Sequence, residues 1–143
     1  MVLQPLPPSL KQAKVLIVDD LTFYASLMEQ TLMKRGFEGK IYIANSLKGA
    51  ADRIQQSLES DEIIDLLITD LHLPDGLGTR LVKKIRKTKV LENMAILLVT
   101  TNEESKTVVE AFEAGIDNYL FKPLEDAKLF EKILFVWNKR HPG

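Results

Sequence analysis

Between residues 14 and 140, five short apolar runs alternate with five segments of helical periodicity, and that alternation leaves few folds open. The first run, Val15-Leu16-Ile17-Val18, is apolar throughout and rich in β-branched residues. A strand covered on both faces needs that composition. Comparable runs fall at 41–44, 63–69, 95–99 and 119–121. A helix is predicted over 22–35, with Tyr24, Leu27, Met28 and Leu32 on its apolar stripe and Gly36 as its stop. Asn45 or Ser46 can cap a second helix that runs to residue 58. The third, 79–88, gathers basic residues near its C-terminus. The fourth, 103–114, follows a cap at Asn102 and ends at Gly115, and the last spans 125–139. Alternation of this kind predicts an α/β fold, a five-stranded parallel sheet with helices on both faces.

A chain of 143 residues suits one domain with a real core. That domain is expected at 14–140, preceded by an arm, 1–13, whose Pro5, Pro7 and Pro8 predict an extended, polyproline-like segment. With 19 basic against 20 acidic residues, bulk charge does not drive nucleic-acid or membrane binding. The absence of cysteine excludes a disulfide scaffold and a thiolate metal site. No apolar stretch reaches the roughly 18–20 residues of a membrane span. The arm also lacks the basic-then-apolar pattern of a signal peptide, so a cytoplasmic domain is expected. His141-Pro142-Gly143 closes the chain directly after the last helix. No effector domain is therefore expected in it, which fits a single-domain regulator or a domain cut from a longer protein.

In open parallel sheets, ligands bind beyond the carboxyl ends of the strands, where the strand order switches. The first strand ends in Asp19-Asp20, the third in Asp70, the fourth in Thr100-Thr101 and the fifth in Lys122-Pro123. The second ends in Ala44-Asn45, without charge. Were the order 2-1-3-4-5, the first and third strands would be neighbours and their three carboxylates would converge. Converging carboxylates repel unless compensated, and Mg²⁺ (or Mn²⁺) is the natural compensator. Asp20 and Asp70 are the best direct ligands, Asp19 would act through water, and the backbone carbonyl of His72 can point back at the metal. The Lys122 ammonium and the Thr100 hydroxyl suit phosphate oxygens, with the Thr101 N–H in support. Asp70, central among them, is then placed to attack a phosphoryl group and become an aspartyl phosphate.

The set Asp19-Asp20, Asp70, Thr100, Tyr119 and Lys122-Pro123 closely resembles the receiver domain of two-component response regulators, a family with chemotaxis members. Residues 70–76 resemble its phosphoacceptor loop and 115–123 its fifth-strand signature, and the likeness spans 14–137. The resemblance implies a flavodoxin-like (βα)5 fold with strand order 2-1-3-4-5. It also implies a cycle in which a sensor histidine kinase or phosphotransfer protein donates a phosphoryl group to Asp70 in a Mg²⁺-dependent reaction. Thr100 then moves toward that group and Tyr119 turns inward. The face made by the fourth helix, fifth strand and fifth helix changes its affinity for a downstream protein or effector domain. Such a domain is a switch rather than an enzyme, catalysing only its own phosphotransfer and dephosphorylation, with no direct nucleic-acid or membrane binding. Val108 and Phe112, with some of Phe130, Leu134 and Trp137, form the candidate partner face, and a homodimer is among the assemblies it allows. The plainer alternative is a last helix buried more widely, in part by the N-terminal arm. Asp75 and Gly76 read as turn residues, and the basic run 83–87 as a solvated face.

Thr101 stands where the family usually has a smaller residue, which predicts slow hydrolysis of the acyl phosphate or poor use of small phosphodonors. His72 and Asn102 occupy positions that tune dephosphorylation in the family. Three rival functions share these residues. A phosphatase or phosphotransferase with an aspartyl nucleophile would need a general acid and a substrate cap, and no cap domain fits this chain. A phosphate-independent binding module would keep the motif without the chemistry. A flavin protein of the same fold would want a hydroxyl- or Gly-rich loop after the first strand, where Asp19-Asp20 would repel a phosphate.

Overall fold

Each apolar run becomes a strand and each amphipathic segment a helix in the computed structural model, which describes residues 5–101 and 103–142. In chain order the elements are α1 (Pro8–Lys11), β1 (Lys14–Val18), α2 (Thr22–Met33), β2 (Lys40–Ala44), α3 (Leu47–Glu59), β3 (Leu66–Asp70), β4 (His72–Leu73), β5 (Gly76–Leu77), α4 (Gly78–Arg86), β6 (Ala95–Thr100), α5 (Ser105–Ala114), β7 (Asn118–Phe121) and α6 (Asp126–Arg140). One 3₁₀ turn, Lys89–Leu91, precedes β6. The main sheet runs β2-β1-β3-β6-β7 with every pairing parallel. Counting only its own strands, that is the expected order 2-1-3-4-5 in a flavodoxin-like fold.

Strand periodicity divides the core in two. Val15 and Ile17 face Met28, Leu32, Leu129 and Ile133 of α2 and α6. Leu16 and Val18 face Ile54, Val82, Ile85 and Ala111 of α3, α4 and α5. β3 and β6 are buried at every position, as strands inside a doubly covered sheet must be, whereas the edge strand β7 is half-buried throughout. Each large apolar side chain removed from water contributes about 1.5–3 kcal/mol, so these two layers supply the main driving force for folding.

Several local expectations need correction. β3 begins at Leu66 rather than at residue 63, because Asp65 is spent on β1: its N–H donates to the Lys14 carbonyl at 2.8 Å and its Oδ2 accepts from the Lys14 N–H at 2.9 Å. The segment after β3, where only Asp75 and Gly76 were read as turn residues, forms a two-stranded hairpin, β4 against β5, with His72 opposite Leu77 and Leu73 opposite Gly76. Of the two cap candidates for α3, Ser46 is the one used, its Oγ accepting from the Gly49 N–H at 3.0 Å. Asn102, expected to cap the following helix, lies outside the described residues.

The described part of the N-terminal arm, residues 5–13, is also not extended throughout. Pro7 keeps polyproline-like angles, φ −56° and ψ 143°, but Pro8 opens a helical turn, since a proline at the first helical position costs no hydrogen bond. That turn buries Leu10, and Leu6, Leu10 and Ala13 join the core cluster that contains Phe130 and Trp137. At the same end of the sheet, Asp117 is buried and accepts from Arg86 Nη2 at 3.0 Å, Arg140 Nε at 2.8 Å and the Ile96 N–H at 2.9 Å. Its carboxylate ties α4, α6 and β6 together, at the end of the sheet opposite Asp19 and Asp70.

Candidate functional site

Sheet register brings the charged strand ends together. Val18 pairs with Thr69, so Asp19 emerges beside Asp70, the last residue of β3. Thr100 pairs with Phe121, and Lys122 follows directly. Asp19, Asp70 and Lys122 are buried, at 2%, 8% and 9% exposure, while Asp20 faces solvent. Lys122 Nζ donates to Asp19 Oδ2 at 2.8 Å and to Asp70 Oδ2 at 3.0 Å. The same ammonium sits 4.1 Å from the centroid of the Tyr24 ring, a cation–π contact. Sequence reasoning gave Tyr24 only a place on the apolar stripe of α2, because helical periodicity cannot tell a packed ring from one that faces a cation.

One ammonium shared between two carboxylates favours the cation over the anions. Burial pushes the Asp19 carboxyl above the usual range, against the lowering effect of Lys122 and of the Leu21 N–H, which donates to Asp19 Oδ1 at 2.9 Å. Burial also works against the charge on Lys122, but its hydrogen bonds to Asp19 and Asp70 together outweigh it and raise the ammonium above its ordinary value. Lys122 therefore stays charged, and the acid pair is left short of positive charge.

Asp19, Asp20 and Asp70 each place a carboxylate oxygen within 4.8 Å of the others. An all-oxygen donor set of this kind fits a hard divalent cation. Both oxygens of Asp19 already accept hydrogen bonds, one from Leu21 and one from Lys122. Asp70 keeps Oδ1 on a long contact of 3.4 Å from the His72 N–H. Asp20 and Asp70 are thus the acids better able to ligate directly, with Asp19 behind them. A cleft of 410 Å³ opens beside Asp19 and Asp20 toward α2 and α3, lined also by Thr22, Asn45 and Arg53. It does not reach Asp70 or Lys122, so the acids form its rim.

The other expected site residues are distributed as follows. Thr100 is buried at the end of β6, its carbonyl accepting from the Lys122 N–H at 2.9 Å. Thr101, next along, is exposed, as is the His72 side chain. Gly78 crosses directly over the Asp70 carbonyl, so that any Cβ there would collide with backbone. Tyr119 is half-buried and packs edge-on against Phe112, with ring centroids 5.9 Å apart and planes at 85°. Lys132 Nζ lies 5.4 Å from the centroid of the Tyr119 ring.

Part of the expected partner face is corrected. Phe112 is exposed, and Val108 and Leu134 are half-buried. Phe130 and Trp137 are core residues, at 4% and 3% exposure. α6 packs on both α2 and the N-terminal turn, and Trp137 Nε1 donates to Ser9 Oγ at 3.0 Å. The surplus apolar surface read on this helix is thus covered from within, as the plainer alternative held. Phe135, not singled out from the sequence, is the exposed aromatic of α6 at 54%. Asp75, read as a turn residue, instead accepts hydrogen bonds from the first residues of α3.

No helix among the described residues is long and apolar enough to cross a membrane. Comparison with known proteins agrees with the geometry. Residues 15–134 match the model of the response regulator receiver domain. The chain is 32% identical over 120 residues to a chemotaxis protein CheY homolog of Campylobacter jejuni, covering 84% of this chain and 88% of that one. It is 30% identical over 125 residues to chemotaxis protein CheY-3 of Vibrio cholerae, covering 86% and 90%. Among solved structures it resembles a CheY-like response regulator receiver domain protein from Methanospirillum hungatei, with TM-score 0.76, 29% identity and coverage of 90% and 96%. A two-component response regulator from Clostridium difficile gives TM-score 0.77, 27% identity and coverage of 91% and 99%. With the matched family model spanning most of the chain and both sheet order and strand-end residues in agreement, this chain belongs to the response regulator receiver domain family.

Proposed function

We propose that the chain is a phosphorylation-dependent signalling switch whose acceptor is Asp70. One observation carries the reading: a single buried ammonium, Lys122, joins Asp70 to Asp19, with Asp20 close enough to complete a cation site. The phosphodonor is a phosphohistidine on a sensor histidine kinase or phosphotransfer protein. An Asp70 oxygen attacks phosphorus, the P–N bond breaks, and an acyl phosphate forms while histidine leaves. Lys122 follows the charge from the carboxylate to a phosphoryl oxygen, and the Thr100 hydroxyl and Thr101 N–H take the others. Mg²⁺, held by Asp20, Asp70 and the His72 carbonyl with Asp19 behind them, would neutralise charge on the transferring oxygens.

The signal leaves through β7. Movement of Thr100 toward the phosphoryl group opens space for Tyr119, whose ring now has Phe112 and Lys132 as neighbours. The population shifts between two arrangements of the surface formed by α5, β7 and α6, with Phe112, Val108 and Leu134 as its apolar contacts. A downstream protein that prefers one arrangement reads the state.

Incubation of wild type and Asp70→Asn with a labelled phosphohistidine donor and Mg²⁺ tests the reading. An acyl phosphate persists in cold acid and is lost to hydroxylamine, whereas phosphohistidine is acid-labile, so label is followed after an acid quench or by intact mass. Transfer to wild type alone is expected. Equal labelling of both, or turnover of free phosphate esters by wild type, would count against a switch at Asp70.

A further inference from the structure

The hairpin that carries His72 is held at two places. At its base, the Gly78 N–H donates to the Leu71 carbonyl at 2.7 Å. At its tip, Asp75 Oδ1 accepts from the Leu47 N–H at 2.7 Å and Oδ2 from the Lys48 N–H at 3.0 Å. These two donors open α3, and Ser46 Oγ takes the next, Gly49 N–H, at 3.0 Å. The helix thus receives a carboxylate from a remote loop in addition to its own cap. The hydrogen bonds from the Lys48 and Leu47 N–H groups hold the Asp75 carboxyl below its usual range, and a helix N-terminus is a favourable place for an anion. Gly76, at φ 144°, packs so closely that an added Cβ would lie 2.8 Å from Leu47 Cδ1.

The hairpin needs this support. Its strands are two residues each, and an isolated ribbon of that size does not hold its own shape in water. The His72 carbonyl lies inside it, two residues beyond Asp70. A backbone ligand is only as well placed as the segment that carries it. We propose that Asp75 is a positioning residue: by pinning the hairpin tip to α3 it holds the His72 carbonyl in line with Asp20 and Asp70 for a divalent cation. This rests on the cation site proposed above.

The test measures Mn²⁺ and Mg²⁺ affinity of the full chain by electron paramagnetic resonance and calorimetry, without any phosphodonor. Asp75→Ala is expected to weaken both cations about tenfold, the lower end of what losing a ligand's support costs. Asp75→Asn, which keeps one acceptor, falls between. Ser46→Ala removes a cap from the same helix without touching the hairpin, and its cation affinity stays at the wild-type value. In wild type the Leu47 and Lys48 amide resonances shift on adding Mg²⁺, and in Asp75→Ala that response is lost. Affinity of Asp75→Ala within about twofold of wild type overturns the proposal, as does an equal loss in Ser46→Ala, which would mean that α3 stability alone is at stake. A wild type that takes up neither cation overturns the cation site itself, and is told apart because every variant is then silent.

Discussion

Lys122 contacts two carboxylates and one aromatic ring, and each contact sets a different property of the site. Its bond to Asp70 fixes Oδ2 of the proposed acceptor, its bond to Asp19 ties β7 to β1, and Tyr24 shields the ammonium from water. In the proposed phosphoryl site, Thr101 is exposed just past buried Thr100. A β-branched side chain there obstructs an attacking water more than a methyl group would. Thr101→Ala should therefore shorten the lifetime of the acyl phosphate and speed phosphorylation by small donors such as acetyl phosphate. A change of about threefold to tenfold corresponds to roughly 0.6–1.4 kcal/mol of barrier, a reasonable worth for one obstructing side chain. The measurement is the decay of phosphorylated protein after donor removal, and identical rates in both proteins would exonerate Thr101.

At the scale of elements, α2 and α6 are clasped through Asp126. Its carboxylate accepts from Arg35 Nη2 at 2.7 Å, and from Thr31 Oγ1 at 2.7 Å, with Lys34 Nζ at 3.0 Å. Arg35 is the first cause, with Thr31 and Lys34 adding to it, of a carboxyl held far below its usual range. Because the folded pKa lies below the unfolded one, about 3.9, the clasp stabilises the fold above that pH and is lost as pH falls through the acid range. The Asp126 side chain is 35% exposed, so solvent screening limits its worth. Asp126→Asn should cost about 1 kcal/mol at neutral pH, or about 3 °C in melting temperature. The gap from wild type should narrow as pH falls below the unfolded value and close only well below the usual carboxylate range, once the wild-type carboxyl is protonated too. A gap that persists in acid would mean that packing, not charge, is responsible. None of this clasp was legible in the sequence, since Asp126 and Arg35 are 91 positions apart. What was legible followed from local pattern: β1, β3 and β6 from apolar runs, and the candidate site from the polar and charged residues at the ends of β1, β3, β6 and β7. The hairpin was not, because two-residue strands have no period to read. Nor was the role of Asp75, whose partners lie on another element.

For the whole molecule, the open question of the sequence was what covers the apolar surplus of the last helix, and the N-terminal turn answers it. Prolines at 5, 7 and 8 suggested an extended arm, but Pro8 sits where a proline starts a helix. That start turns Leu10 inward to 0% exposure, beside the cluster of Phe37, Phe130 and Trp137. Backbone bonds from the Glu38 N–H to the Lys11 carbonyl at 2.9 Å and from the Lys40 N–H to the Ala13 carbonyl at 3.1 Å then anchor the arm to the approach to β2. Leu6, Leu10 and Ala13 are thus core residues, although they precede the first strand of the sheet. It lies at the N-terminal end of β1, whereas Asp70 lies at the C-terminal end of β3, parallel to β1. Stability and chemistry should therefore separate. Leu10→Ala should lose about 3 kcal/mol, within the range for emptying a buried leucine site, and unfold in one transition with the rest of the domain. Trp137 emission, reporting on the same cluster, should move with that transition. Phosphotransfer to Asp70, assayed well below the midpoint, should proceed at the wild-type rate. An unchanged melting temperature in Leu10→Ala would mean that the arm merely rests on the domain. A slowed phosphotransfer in the folded variant would mean that the two ends of the sheet are coupled.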